Sequence, residues 1–167
     1  MLNPIDSASP RMGNDNADTG EFDLWMGWAL DQAKAAAAAG EVPIGSVLLE
    51  GGAVIGSGFN QPISSNDPTA HAEVIALREA AVRASNYRLP GTTLVVTIEP
   101  CLMCAGAMVN ARVSRVIFGA QEPKWGAFGS CLDVGKLSLN HGIEVVAGVR
   151  AKECGDLLRD FFRTRRE

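Results

Sequence analysis

The chain has 167 residues, 47% of them apolar and 20% charged, with a formal net charge of −4 and a pI of about 5.2. That length predicts one domain, able to bury a core without staples. The acidic balance argues against a general nucleic-acid binder, and no apolar run is long enough to span a bilayer, so no membrane partner is expected.

The charge is unevenly spread. Residues 1–23 hold five acids (Asp6, Asp15, Asp18, Glu21 and Asp23) against Arg11 alone, and so account for the whole −4. The last eighteen residues hold six bases against four acids, which leaves room for a local basic surface at the C-terminus. Two of the four cysteines form Cys101-Leu102-Met103-Cys104 and two are isolated. That is no disulfide framework, and it predicts a reducing, cytoplasmic setting. The first residues carry neither the basic flank nor the apolar stretch of a secretory signal.

Residues 1–20 are rich in Asn, Asp, Ser, Gly and Pro and read as a disordered extension before a domain over 21–167. A helix is predicted over 22–39, where Trp25, Trp28 and Ala29 share a face, alanines favour the conformation and Gly40 ends it. Apolar runs at 44–49 and 54–59 flank Gly51-Gly52, a hairpin signal. Residues 61–69 read as a loop. Asp67-Pro68 looks like an N-cap with proline at the first helical position, and Ala70, Val74, Leu77 and Ala81 continue at helical spacing. The β-branched run 93–98 predicts a strand, a helix starts near Pro100, and 115–118 is a strand. A glycine-containing loop follows at 119–129, then a weaker strand at 143–146. The last helix covers 151–165, with Leu157, Leu158, Phe161 and Phe162 as its core. Strands alternating with helices make an α/β layered domain. Trp25, Trp28, Cys131 and Cys154 are expected in the interior and His141 at the surface.

Three fragments carry chemistry: His71-Ala72-Glu73, Pro100-Cys101, and the Cys-x-x-Cys that begins at Cys101. Alone, the Cys-x-x-Cys would also suit a redox pair or half of a structural zinc site. Together the fragments are stronger, because each lies at a predicted helix start and two helix starts can converge beside a sheet. One imidazole and two thiolates make three zinc ligands, and no further Cys or His stands at ligand spacing to supply a fourth. Three protein ligands leave a position for water, the pattern of catalytic zinc. Helix N-termini also favour thiolate over thiol. Glu73, two residues beyond His71, can reach that water without binding the metal and can move its protons.

His-Ala-Glu followed by Pro-Cys-x-x-Cys is the zinc deaminase signature. Around it stand EVPIGSVLL at 41–49, GFNQPI at 58–63, DPTAHAE at 67–73, NYRL at 86–89, TIEPCLMCAGAM at 97–108, RVIFGA at 115–120 and DFFRTRR at 160–166. On these stretches the chain resembles the bacterial tRNA-specific adenosine deaminases over nearly all of 22–166. The resemblance implies a three-layer α/β/α fold with a five-stranded mixed sheet, and a homodimer with active sites near its interface. It implies one Zn2+ per chain on His71, Cys101 and Cys104, Glu73 as proton shuttle, and Asn60 in contact with the target nucleoside. The implied reaction is hydrolytic deamination of the wobble adenosine to inosine in the anticodon stem-loop of a tRNA, an arginine tRNA by the family pattern. The chain departs from that pattern at Gln121-Glu122-Pro123-Lys124-Trp125, where the family commonly has Asp and then a small or polar residue.

Two other readings stand beside this one. A guanine or cytidine-type deaminase of a free base or nucleoside would share the zinc signature. It would have no need of the tail, where Arg163, Arg165 and Arg166 suit phosphate contacts and Phe161 and Phe162 suit stacking on bases. A silent RNA-binding subunit would be expected to have lost the carboxylate at 73.

Overall fold

The computed structural model describes residues 17–166. The first helix, α1, runs Ala17–Ala38 and so begins five residues before the predicted start. Ala17–Gly20 of the expected extension are thus helical, and residues 1–16 lie outside the described residues. Phe22, Trp25, Met26, Ala29, Leu30 and Ala33 recur at helical spacing and are buried, which explains why α1 docks. Trp28 is only half-buried.

β1 (Gly45–Glu50) and β2 (Ala53–Phe59) form the expected hairpin. Gly51 and Gly52 have φ of 56° and 81°, the left-handed pair that a two-residue turn requires. A short helix, α2 (Pro62–Ser65), occupies part of the region read as a loop. α3 spans Ala72–Ala84, β3 Thr92–Ile98, α4 Leu102–Ala111 and β4 Arg115–Ala120. β5 (Glu144–Ala147) and α5 (Ala151–Thr164) complete the domain.

The sheet order is β2-β1-β3-β4-β5, antiparallel across the first two pairings and parallel across the last two. Alternation sorts its side chains. Val47, Leu49, Val95 and Ile117 pack with α1 and α5. Leu48, Leu94, Val96, Val116 and Phe118 pack with α3 and α4 on the other face. The result is the expected three-layer α/β/α architecture with a five-stranded mixed sheet.

Three expectations need correction. Asp67 does not cap a helix at Pro68; its Oδ1 accepts from the Thr69 N–H (2.8 Å) and hydroxyl (2.7 Å), closing a local turn, and α3 starts only at Ala72. Cys131 is exposed in the loop after β4, whereas Cys154 is buried as expected. On α5 the buried residues are Cys154 and Gly155, because small groups let its first turns lie against β4. A Cβ on Gly119 would come within 2.5 Å of the Cys154 sulfur. Burial fades along the helix, leaving Leu157, Leu158 and Phe161 half-buried and Phe162 42% exposed.

The hairpin lies equally close to α3. A Cβ on Gly58 would stand 2.4 Å from the Ala72 carbonyl oxygen and 2.8 Å from the Ile75 Cβ. Neither neighbour can turn aside, since one is backbone and the other is the root of a side chain. Gly58→Ala should therefore push back the first turn of α3 and cost about 1–3 kcal/mol, read by denaturant unfolding. Zinc affinity should fall with it, because His71 precedes that turn.

Candidate active site

The site forms where the ends of two connections meet. β3 leads through Glu99-Pro100-Cys101 into α4, and His71 leads into α3. His71 and Cys101 are themselves the N-caps of these helices, with extended backbones (φ −77°, ψ 151° and φ −75°, ψ 172°) and no capping bond from either side chain. Residues that would ordinarily serve the helix are instead turned toward each other. The His71 Nδ1 is 3.7 Å from the Cys101 sulfur and 3.6 Å from the Cys104 sulfur, across sequence separations of 30 and 33 residues.

These spacings suit zinc. Bonds of about 2.0 Å to nitrogen and 2.3 Å to sulfur, at the tetrahedral angle, place the two donor atoms about 3.5 Å apart. All three ligand atoms lie within 4.8 Å of one another, and among the described residues no other His, Cys, Asp or Glu joins them. His141 lies elsewhere, its Nε2 donating to the Val113 carbonyl at 2.6 Å.

The electrostatics favour a cation. The Cys104 thiol and the His71 ring beside Cys101 pull its thiol down to about 4. The same hydrogen bond, with burial, pushes Cys104 upward, and the Cys101 contact raises His71 above its ordinary value. The three groups are thus coupled, each shift depending on the protons its neighbours hold. A divalent cation replaces the remaining protons, so binding is coupled to their release.

Glu73 is 4% exposed, and burial pushes its carboxyl up to about 7 against the pull of His71. A carboxyl poised near neutrality can both take and give a proton at working pH. Asn60 is also buried, and its Oδ1 accepts from the Ala72 N–H at 2.9 Å. That bond satisfies a first-turn donor of α3 and fixes the amide, whose NH2 is left as the donor end.

The sequence reading missed two carboxylates. Glu99, 3% exposed, accepts from the backbone N–H of Glu122 (3.1 Å), Phe128 (3.0 Å) and Ser130 (3.1 Å), and from the Ser130 hydroxyl. Glu41, 1% exposed, accepts from the N–H of Ser64 (2.7 Å) and Ile63 (3.4 Å) and so holds the start of α2 next to Asn60. The only local hint was a carboxylate set in an apolar surrounding, in TIEPC and GEVPIG.

The tail residues lie apart from the metal ligands in sequence and on a different layer. Arg163 pairs with Asp160 at 3.1 Å. Arg165 donates to the Gly40 carbonyl and lies 4.3 Å from the Phe161 ring centre. Phe161 meets Phe162 edge-on at 5.5 Å. Arg166 is exposed.

Residues 21–120 match the model of the cytidine and deoxycytidylate deaminase zinc-binding region. A tRNA-specific adenosine deaminase of Haemophilus influenzae is 49% identical over 150 residues, covering 88% of this chain and 87% of that one. A solved structure from a study of A-to-I editing by tRNA:A34 deaminases at the wobble position of transfer RNA superposes with a TM-score of 0.78. It shows 40% identity and covers 81% of this chain and 99% of that one. A guanine deaminase from Nitrosomonas europaea shares the fold with a TM-score of 0.71, at 25% identity over 95% of this chain and 98% of its own.

Proposed function

Because the chain belongs to the tRNA-specific adenosine deaminases within the cytidine and deoxycytidylate deaminase zinc-binding family, we propose that it hydrolyses the wobble adenosine of a tRNA to inosine, releasing ammonia. The observation that carries this is the convergence of His71, Cys101 and Cys104 at tetrahedral spacing with a buried carboxyl, Glu73, in the next turn of chain. Among the solved structures, identity is 40% with the one from the tRNA:A34 study and 25% with the guanine deaminase, which favours the tRNA over a free base.

Zinc, when bound by those three residues, makes a water acidic enough to act as nucleophile near neutral pH. Glu73 would take a proton from that water as the water's oxygen bonds to carbon 6 of adenine. It would pass that proton to ring nitrogen 1, then carry the second proton from the new carbon-6 hydroxyl to the amine, so that the C6–N bond breaks, ammonia leaves and the carbonyl of inosine remains. Burial serves this role, since a carboxylate in bulk water would hold a proton too weakly to deliver it at pH 7. Asn60 presents its NH2 to an acceptor on the nucleoside, held in place through Ala72. The base must leave the stack to reach Glu73, and an anticodon loop already exposes it.

An arginine tRNA as the preferred substrate, a cytoplasmic location and a homodimer belong to the same reading. The resemblance supports the arginine tRNA and the homodimer, and the cysteine pattern supports the cytoplasmic location. Leu102 and Met103, 54% and 36% exposed beside the zinc ligands, give a dimer apolar surface to cover. Among the described residues no helix is long and apolar enough to cross a membrane. Incubation with total tRNA, followed by sequencing for adenosine-to-inosine changes, tests the function; an unedited pool at every wobble adenosine would overturn it.

The C-terminal arginines are proposed as RNA contacts. Arg165 is also tied to Gly40 and Phe161, so its removal would disturb the docking of α5. Arg163 and Arg166 separate the two effects. Replacing both with Ala should weaken tRNA binding severalfold at 0.1 M salt and flatten its salt dependence, each lost phosphate contact lowering the slope by roughly 0.7–0.9. Zinc content and single-turnover chemistry on saturating RNA should hold. An unchanged salt slope would leave the tail as a solvated helix end.

A further inference from the structure

The loop after β4 is strapped to the metal centre. Gly126 pairs with the zinc ligand Cys101 in an isolated antiparallel bridge, and the Ala127 N–H donates to the Pro100 carbonyl at 2.9 Å. The Glu99 carboxylate gathers backbone donors on both sides of the loop tip, from Glu122 and from Phe128 and Ser130. Gly126 lies so close that a Cβ there would meet the Glu99 carboxyl carbon at 2.4 Å. Glu122 turns back on the loop, its Oε1 accepting from the Lys124 N–H at 3.0 Å. The tip is therefore held at both ends and braced within.

On this braced tip stands Trp125, 71% exposed, with the exposed Lys124 beside it. A bridge pair of about 5 Å and one chain step of 3.8 Å put its Cα within about 9 Å of that of Cys101. A large ring left in water on rigid backbone, so near the reacting centre, calls for a flat partner that arrives with the substrate. Single-stranded RNA has such partners in its unstacked bases, and each base offers a π-face to an aromatic ring. Its phosphates suit Lys124. A holding loop with little freedom to lose also lowers the entropic cost of binding.

We propose that Trp125 is a stacking platform for a base that neighbours the target adenosine in the single-stranded loop of the RNA. This rests on the tRNA reading above and adds the residue that grips the flanking nucleotide. The ring is exposed, so its replacement leaves the core and the metal ligands untouched.

The test uses the full-length, zinc-loaded protein and an anticodon stem-loop RNA carrying the target adenosine. Trp125→Ala should raise the dissociation constant about tenfold or more, and Trp125→Phe should retain most of the affinity. Single-turnover deamination at saturating RNA should change by less than about threefold in both. Added RNA should quench tryptophan emission in the native protein and much less in Trp125→Phe, where only Trp25 and Trp28 of α1 remain to report. An unchanged affinity in Trp125→Ala, with normal stem-loop turnover, removes the platform and leaves the function standing. Loss of affinity that follows a change of oligomeric state by light scattering assigns Trp125 to a protein interface and overturns the proposal. A native protein that deaminates a free base but neither binds nor edits the stem-loop sinks both readings together.

Discussion

Glu73→Gln should abolish turnover, with a loss of at least about 10²–10⁴-fold, in a protein that keeps its fold and its zinc. Gln preserves size and hydrogen-bonding reach but neither takes nor gives a proton. The same substitution should stabilise protein stripped of zinc by a chelator. In the folded chain the Glu73 carboxyl titrates near 7, against an ordinary value of 4.5. Its folded pKa is raised, so the folded state binds the proton more tightly, and this carboxyl weakens the fold as pH climbs through that window. The cost at pH 8 is at most roughly 3.5 kcal/mol, at about 1.4 kcal/mol per unit. Stripped Glu73→Gln should therefore melt above stripped native protein at pH 8 and level with it at pH 4. Equal melting temperatures at both pH values would mean that the carboxyl is not held in a desolvated setting.

Cys104→Ser should lose the metal and, with it, all detectable deamination. A serine hydroxyl is not deprotonated as a ligand at neutral pH, and two remaining donors cannot hold zinc in competition with a chelator. Cys104 is fully buried, so the smaller oxygen also leaves a small void at the base of α4. Elemental analysis checks the first consequence: close to one zinc per native chain, and well under a tenth of that in the variant. Adding zinc back should restore activity to chelated native protein and not to Cys104→Ser. A variant that retains stoichiometric zinc would show that another residue serves as a ligand.

The metal centre was legible because its chemistry is concentrated in residue types. Imidazole and thiolate have few other reasons to stand at helix starts, and His71, Cys101 and Cys104 announce both the metal and the meeting of two connections. The sheet was legible where alternation or β-branching was strong, as in β3. What failed were choices between two local uses of one side chain. Asp67 can cap a helix or close a turn onto Thr69, and only the position of α3 decides between them. Glu99 and Glu41 were invisible as anchors because their partners lie 22–31 residues away in the chain. Phe161 and Phe162 look like core by composition. Their exposure depends on how closely Cys154 and Gly155 let the other end of α5 approach the sheet.

The distance in sequence between His71 and Cys101 also bears on how long each molecule survives. A metal shared between them closes a loop of 30 residues that contains all of α3 and β3. A cross-link over such a span deprives the unfolded chain of conformational freedom worth about 3–4 kcal/mol, in addition to the ligand bonds themselves. Zinc is thus a removable tether as well as a reagent. Chains that lose it open more often and meet proteases more often, so zinc scarcity should reduce the number of enzyme molecules in a cell as well as the activity of each.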